Sequence, residues 1–412
     1  MKVMKVMIKK SVMLVCILIF RVVVAHAALH VKPITDNILS LLDDTFEIDI
    51  KTPDNLPADI AFLFADLKYN GDNGGQIKIC EFGGIMAGVH DTQVMVNNKE
   101  ETVITPYWSL FWHYAKKYNK PLWYIGENTP AITQELFALG GQHFANLSHF
   151  TRFIDTTSNY KKESHNSCKS IKDCVGILVL GDNTSVKKRK EFIKNYPGIL
   201  FVNSNVRRFT VKKLSYKLFH EDAELAPYMP RLKSYAKKYT QDLARQICSD
   251  IPADYFVIKP INAMQSKGVL MTDRLGLDAA LKLILRNKSA IPVAAHRSLS
   301  YWKQDNNKTF FVEEYAPSKT IIIDEKPYDP TMRMVFFMSH EEGKIKINVV
   351  AGYWKIPVKA LSEESTLTEK HITKPFSGDF FTGRVISADD MKTVKNIFKV
   401  MLSNIYVKML AA

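Results

Sequence analysis

Lys259 closes an apolar, aromatic and β-branched run, Tyr255-Phe256-Val257-Ile258, and is followed by Pro260. Such a run predicts a buried strand. Proline supplies no backbone donor and biases its predecessor toward extended geometry, so the strand is expected to stop there. The next residues, Asn262-Ala263-Met264-Gln265-Ser266-Lys267-Gly268, are small or polar and lead into a second strand from Val269. A charge fixed at a strand end beside a donor-rich loop can hold a polyphosphate. The competing reading is a surface hairpin with two ordinary lysines.

Other pieces offer matching chemistry. Phe310-Phe311-Val312-Glu313-Glu314-Tyr315-Ala316-Pro317 reads as an apolar strand ending in two acids and an aromatic residue. Its backbone could meet a nucleobase edge and a carboxylate could accept from a ribose hydroxyl; a core strand with a charged exit is the plainer alternative. Asp329 and Arg333 lie four apart, so in an extended segment they share a face. The acid could hold magnesium and the arginine could clamp a phosphate or carboxylate, or the two could pair with each other. Lys355 emerges from the apolar run ending Gly352-Tyr353-Trp354 as a further phosphate contact. Glu81 precedes the glycine-rich stretch Phe82-Gly83-Gly84-Ile85-Met86-Ala87-Gly88, where backbone can approach a ligand closely. Gly83, Gly84 and His90 are therefore the substrate-side expectation.

These residues need elements to position them. Ile60 to Ala65 and Gln76 to Phe82 read as a hairpin around the turn Asn70-Gly71-Asp72-Asn73-Gly74-Gly75. Between about 101 and 210, short strands (Pro121 to Gly126, Val175 to Leu180, Gly198 to Asn203) alternate with helical stretches, Pro130 to Leu139 and a basic one ending at Tyr196. That alternation predicts a parallel α/β unit. From Lys212 the pattern turns helical and breaks at Pro227 and Pro230. A long helical pattern with Tyr235, Tyr239, Leu243 and Ile247 then leads to the lysine strand. Strands follow over Thr309 to Tyr315, Met332 to Ser339 and Lys344 to Ile356, with a helix from about Asp389 to Leu402.

The order strand-Lys-Pro-loop-Gly, strand-Glu-Glu-Tyr, Asp-x-x-x-Arg strand, then Gly-Tyr-x-Lys resembles the ATP-grasp fold over roughly 210 to 375. The resemblance implies ATP and Mg2+ as cofactors and ligation of a small carboxylate or peptide-like substrate. Under it, Lys259 is the phosphate lysine, Asn262 to Gly268 (with Gln265, Ser266 and Lys267) the flexible loop, and Glu313 to Ala316 the adenine hinge. The other basic contact falls among Lys212, Lys213 and Lys217. The metal-binding strand usual at the end of that fold has no counterpart at this C-terminus. The N-terminal hairpin, with Asp66 and Cys80-Glu81-Phe82-Gly83, is similar to the relocated strand of circularly permuted members, the eukaryotic-type glutathione synthetases and glutathionylspermidine synthetases. Glu81, Asp329 and Asp66 are then the metal carboxylates, and Arg333 and Lys355 the catalytic cations. Gly83 stands where that family carries asparagine. The implied architecture is α+β and α/β: residues 28–100 contribute the metal strand, 101–210 form an inserted parallel α/β substrate domain, and 211–412 form the nucleotide-binding domain.

The chain has 412 residues, a net charge of +14 and 46% hydrophobic residues, as a globular protein with anionic partners would. Its basic residues are scattered, with no recognition helix or stacking motif, so no specific nucleic acid is expected. Lys2, Lys5, Lys9 and Lys10 precede the apolar run Val12 to Phe20, and Ala25-His26-Ala27 offers a cleavage site. Residues 1–27 are expected to export the chain, or as the alternative to anchor it in a membrane. Cys168 and Cys174 could then form a local bridge. No zinc-type spacing, nucleophile elbow or P-loop is present. A non-catalytic exported nucleotide- or anion-binding protein is the competing function.

Overall fold

A computed structural model describes residues 46–49, 58–71, 75–84, 115–126, 136, 140–164, 168–180, 186–204, 212–261, 263, 266–287, 291, 297–341, 343–373 and 383–411. The export segment, His90, Asn262, Gln265 and most of the helix expected over 130–139 lie outside these. No helix among the described residues is long and apolar enough to cross a membrane.

The chain divides into two units. The first takes in Met1–Phe46, Pro57–Asp59 and Thr102–Val202; the second comprises Glu47–Leu56, Ile60–Glu101 and Asn203–Ala412. The strands, in chain order, begin with β1 (Phe46–Asp49), β2 (Asp59–Asn70) and β3 (Gln76–Gly84). The first unit holds β4 (Leu122–Ile125), β5 (Gln142–Phe144), β6 (Gly176–Leu180) and β7 (Ile199–Phe201). These form one sheet in the order β5-β4-β6-β7, with every pairing parallel. Fully buried Trp123 anchors its core against Phe150 and Tyr160. A Cβ at Gly176 would stand 2.4 Å from the Trp123 ring, so glycine is the residue that lets the indole lie on β6. Cys168 and Cys174 are joined by a disulfide.

The second unit contributes β8 (Leu232–Ala236), β9 (Tyr255–Pro260), β10 (Leu270–Asp273) and β11 (Thr309–Glu314) to a sheet ordered β10-β9-β11-β8, antiparallel throughout. A small hairpin, β12 (Ile321–Ile323) and β13 (Lys326–Tyr328), follows. The main sheet is completed by β14 (Thr331–Glu341), β15 (Lys344–Lys355) and β16 (Gly383–Val385); its order is β1-β15-β14-β2-β3, with β16 on β15.

Side-chain alternation decides which face of the main sheet carries chemistry. On β2, Ala61, Leu63, Ala65, Leu67 and Tyr69 enter the apolar core, as do Met332, Met334, Phe336 and Met338 on β14. The helix Ala388–Ala411 supplies Val394, Phe398, Met401 and Ile405 to the same core. Asp66, Lys68 and Arg333 therefore belong to the opposite face. Strict alternation on β3 would send Glu81 inward with Ile77 and Ile79. It does not, because Asp66 pairs with Glu81 while Leu67 pairs with Ile79: Cys80 is an extra residue in a bulge. Phe82 takes the core position, and Glu81 shares the face of Asp66. On β15 the register likewise jumps from Val349 to Ala351, so Trp354 and Ile356 face the core and Lys355 faces away from it.

Tyr235, expected on a long helix, lies on β8 opposite Phe310. Pairing with β11 outweighs the local helical pattern there, and the helix is confined to Leu243–Asp250. The C-terminal helix runs further than the sequence pattern suggests, to Ala411, because Ile405 and Tyr406 still bury apolar surface.

Candidate functional site

A row of charged side chains, one from each of four neighbouring strands, crosses the polar face of the main sheet: Lys355, Arg333, Asp66 and Glu81, in the order β15-β14-β2-β3. Arg333 donates through Nε to Asp66 Oδ1 at 2.7 Å and through Nη2 to Oδ2 at 2.8 Å. Lys355 Nζ donates to the same Oδ2 at 2.9 Å. The Arg333 guanidinium carbon lies 3.9 Å from the centroid of the Phe64 ring, a cation–π contact. Burial alone would raise the Asp66 carboxyl, yet Arg333 and Lys355 hold it well below the usual carboxylate range. Burial and the neighbouring Arg333 charge push the Lys355 ammonium down.

Glu81 is the open end of this row, with 31% of its side chain exposed. Lys212 Nζ stands 3.9 Å from it and donates to the Ala263 carbonyl at 2.8 Å. Lys217 is elsewhere: it is exposed and pairs along its own helix with Glu221. Of the lysines considered for the entry contact, Lys212 stands beside Glu81 and Lys217 does not; the Lys213 side chain lies outside the described ones.

Lys259 is buried and donates to Glu313 Oε2 at 2.5 Å, while the Tyr216 hydroxyl donates to Oε1 at 2.8 Å. Burial pushes the Lys259 ammonium down, but Glu313 and nearby Cys80 reverse the balance and raise it. Burial, together with the Glu313 charge, pushes the Tyr216 phenol well up, and burial takes the Cys80 thiol to about 11. Both Glu313 oxygens thus serve the protein itself. At the expected hinge, Glu314 accepts from Arg231, and the Tyr315 N–H donates to the Tyr255 carbonyl. Ala316 follows directly in the chain. In the loop, Ser266 has φ 57° and Gly268 φ 75°; a Cβ at Gly268 would meet Pro260 at 2.4 Å. The Gly268 carbonyl accepts from the Trp302 indole at 2.8 Å, and Lys267 is exposed.

Asp329 does not pair with Arg333. Its Oδ1 accepts from the Ser318 N–H at 2.7 Å, and its Oδ2 meets Lys68 Nζ at 2.7 Å, the Tyr315 hydroxyl at 2.5 Å and His371 Nδ1 at 2.6 Å. Against the cost of burial, Lys68 and His371 keep this carboxyl far below its ordinary range.

The carboxylate set expected to hold magnesium does not fit that role as a group. Asp66 and Asp329 already receive charged donors, which a hard cation would have to displace. Among the described residues no cluster of three or more His, Cys, Asp or Glu could hold a metal ion. Gly83 has a packing reason: a Cβ there would lie 2.0 Å from the Phe64 ring. The aromatic ring that backs Arg333 fills the space that a side chain at position 83 would need. At Gly84 a Cβ would meet nothing within 4 Å.

Sequence reasoning left out Lys68, Tyr216 and His371. Lys68 had a usable signal, since it lies two residues from Asp66 on a strand and so shares its face. Tyr216 and His371 come from helices remote in the chain and had none.

No protein-family model and no curated protein matches this chain. Among solved structures it is similar to a glutathione synthetase-like effector from Globodera pallida, at 13% identity and TM-score 0.40, covering 80% of this chain and 78% of that one. It is also similar to a D-cycloserine synthetase, at 13% identity and TM-score 0.35, covering 69% of this chain and 81% of that one. Both likenesses are remote, and the reading that follows rests on the side chains.

Proposed function

We propose that this chain is an ATP-dependent, ADP-forming carboxylate–amine or carboxylate–thiol ligase. The observation that carries the reading is the gathering of Lys212, Lys259, Arg333 and Lys355 about Glu81. Lys212 lies beside that acid, and its charge raises the proton affinity of the other three cations or offsets its loss. Such a group suits a reaction whose reactants are polyanions and whose main needs are positioning and charge neutralisation.

In this reading a substrate carboxylate oxygen attacks the γ-phosphorus of ATP, the bond to the β-phosphate oxygen breaks, and ADP leaves. The resulting acylphosphate is attacked at its acyl carbon by an amine or thiol, which loses a proton as inorganic phosphate departs. Arg333 and Lys355 offset charge on the transferring group, Lys259 faces the remaining phosphates, and the Gly83-Gly84 edge receives the acid. No nucleophile of the protein is required. Residues 1–27 are proposed to export or anchor the chain, so ATP must be met in the compartment where the rest of it resides.

The test is incubation with ATP, magnesium and pools of amino acids and short peptides in the presence of hydroxylamine. A hydroxamate formed together with ADP reports the acylphosphate. If ATP binds but neither product appears with any acid, the non-catalytic binding reading replaces this one. That second reading is favoured by the internal pairing of Lys259 with Glu313 and of Arg333 with Asp66.

A further inference from the structure

The Arg333 fork presents two N–H groups to two coplanar oxygens, the arrangement a phosphoryl group also offers. In this structure those oxygens belong to Asp66, and Lys355 completes the contact on Oδ2. The seat is therefore an anion site filled by a side chain of the same protein. It is backed by the Phe64 ring and bordered by Glu81, the partly exposed register partner of Asp66.

We infer that Asp66 is an internal competitor for this seat, and that a phosphate chain binds to Arg333 and Lys355 by displacing it, with no divalent cation required. This extends the nucleotide-site reading, on which it rests for the location of the phosphates. The physical basis is charge accounting at the seat. Two buried cations grip Asp66, with Glu81 acting on both from the rim, so a phosphoryl group that displaces Asp66 meets cationic donors already placed by protein. The same pairing explains why Asp66 is a poor metal ligand here.

The experiment is calorimetric titration of the full chain with inorganic tripolyphosphate in EDTA, for the wild type and Asp66→Asn. The expected result is weak binding to the wild type and binding about tenfold to a hundredfold tighter to the variant, the worth of one charge-assisted competitor. Equal or weaker binding to Asp66→Asn overturns the inference, as does binding seen only with magnesium or no binding to either protein. If Asp66→Asn yields no folded protein, Lys355→Gln decides: wild-type binding in EDTA should fall at least tenfold, and unchanged affinity overturns the proposal. Tripolyphosphate carries no base and no acyl acceptor, so this outcome is independent of the hydroxamate test. Hydroxamate formation with magnesium-only binding would retain the ligase and remove the competitor.

Discussion

The Asp66 carboxylate is gripped at both oxygens by Arg333, at 2.7 and 2.8 Å, across two neighbouring strands of one sheet. A buried pair of this kind is expensive to leave half-made. Arg333→Met leaves Asp66 with Lys355 alone and should lower the stability of the second unit by about 3 kcal/mol, the low end of the range for removing one buried partner, read from urea unfolding. A loss below about 1 kcal/mol would mean that Asp66 is solvated and the pair merely superficial.

The depressed carboxyls make stability depend on acid in a defined direction. For Asp66 and Asp329 the folded-state value lies below the unfolded one of about 3.9, so their contribution is complete above that pH and is lost as pH falls toward the folded value. Urea midpoints measured downward from pH 6 should fall as pH drops below about 4. The slope should be shallower in Asp66→Asn, which lacks one of the two groups; an unchanged slope would remove Asp66 from the account.

Lys259 serves both the fold and the proposed phosphate contact, and two variants separate these. Lys259→Met leaves Glu313 buried beside Tyr216 and should cost about 3–5 kcal/mol. Adding Glu313→Gln should recover much of that stability, but not nucleotide affinity. Recovery of affinity by the double variant would assign Lys259 to structure alone.

Gly83 provides a steric test. Gly83→Ala puts a methyl group into the Phe64 ring and should cost about 1–3 kcal/mol as overpacking. Gly83→Ala combined with Phe64→Leu should be more stable than the sum of the two single changes, with coupling read from a thermal-denaturation cycle. Simple additivity would show that the ring moves aside freely.

Cys80 should be a slow thiol. Half-buried, and with its acidity weakened to about 11, it should react with iodoacetamide at pH 8 more slowly in the folded chain than once urea unfolds it. Rapid labelling under native conditions would place it at an open surface instead.

Much of the second unit was legible because its strands are apolar runs that end on charge. Lys259, Glu313 and Lys355 each occur where such a run stops, and Asp329 and Arg333 flank the start of another. The partners of those charges were not legible. Arg333 was weighed against Asp329, four residues away, but its acid is Asp66, brought to it by the adjacency of β14 and β2. Tyr235 shows the same limit in reverse: a locally helical pattern became a strand because β11 lay ready to pair with it. Three strands of the first unit's parallel sheet, β4, β6 and β7, were readable because each is short and wholly apolar; β5, Gln142-His143-Phe144, carries no apolar run and was not.

The bulge at Cys80 means that part of this site is written in residue count as well as residue type. Removing Cys80 would delete no charged group and would close the bulge, leaving Ile79 opposite Leu67 and Glu81 opposite Asp66 in unbroken alternation; regular pairing with Cys80 retained is what would turn Glu81 toward Ile77 and Ile79. The register jump between Val349 and Ala351 likewise sets the face of Lys355, which lies away from the core because one extra residue stands in the strand. Scanning by substitution would pass over both positions as chemically neutral. Scanning by single-residue deletion would find them more tolerant than the paired residues beside them.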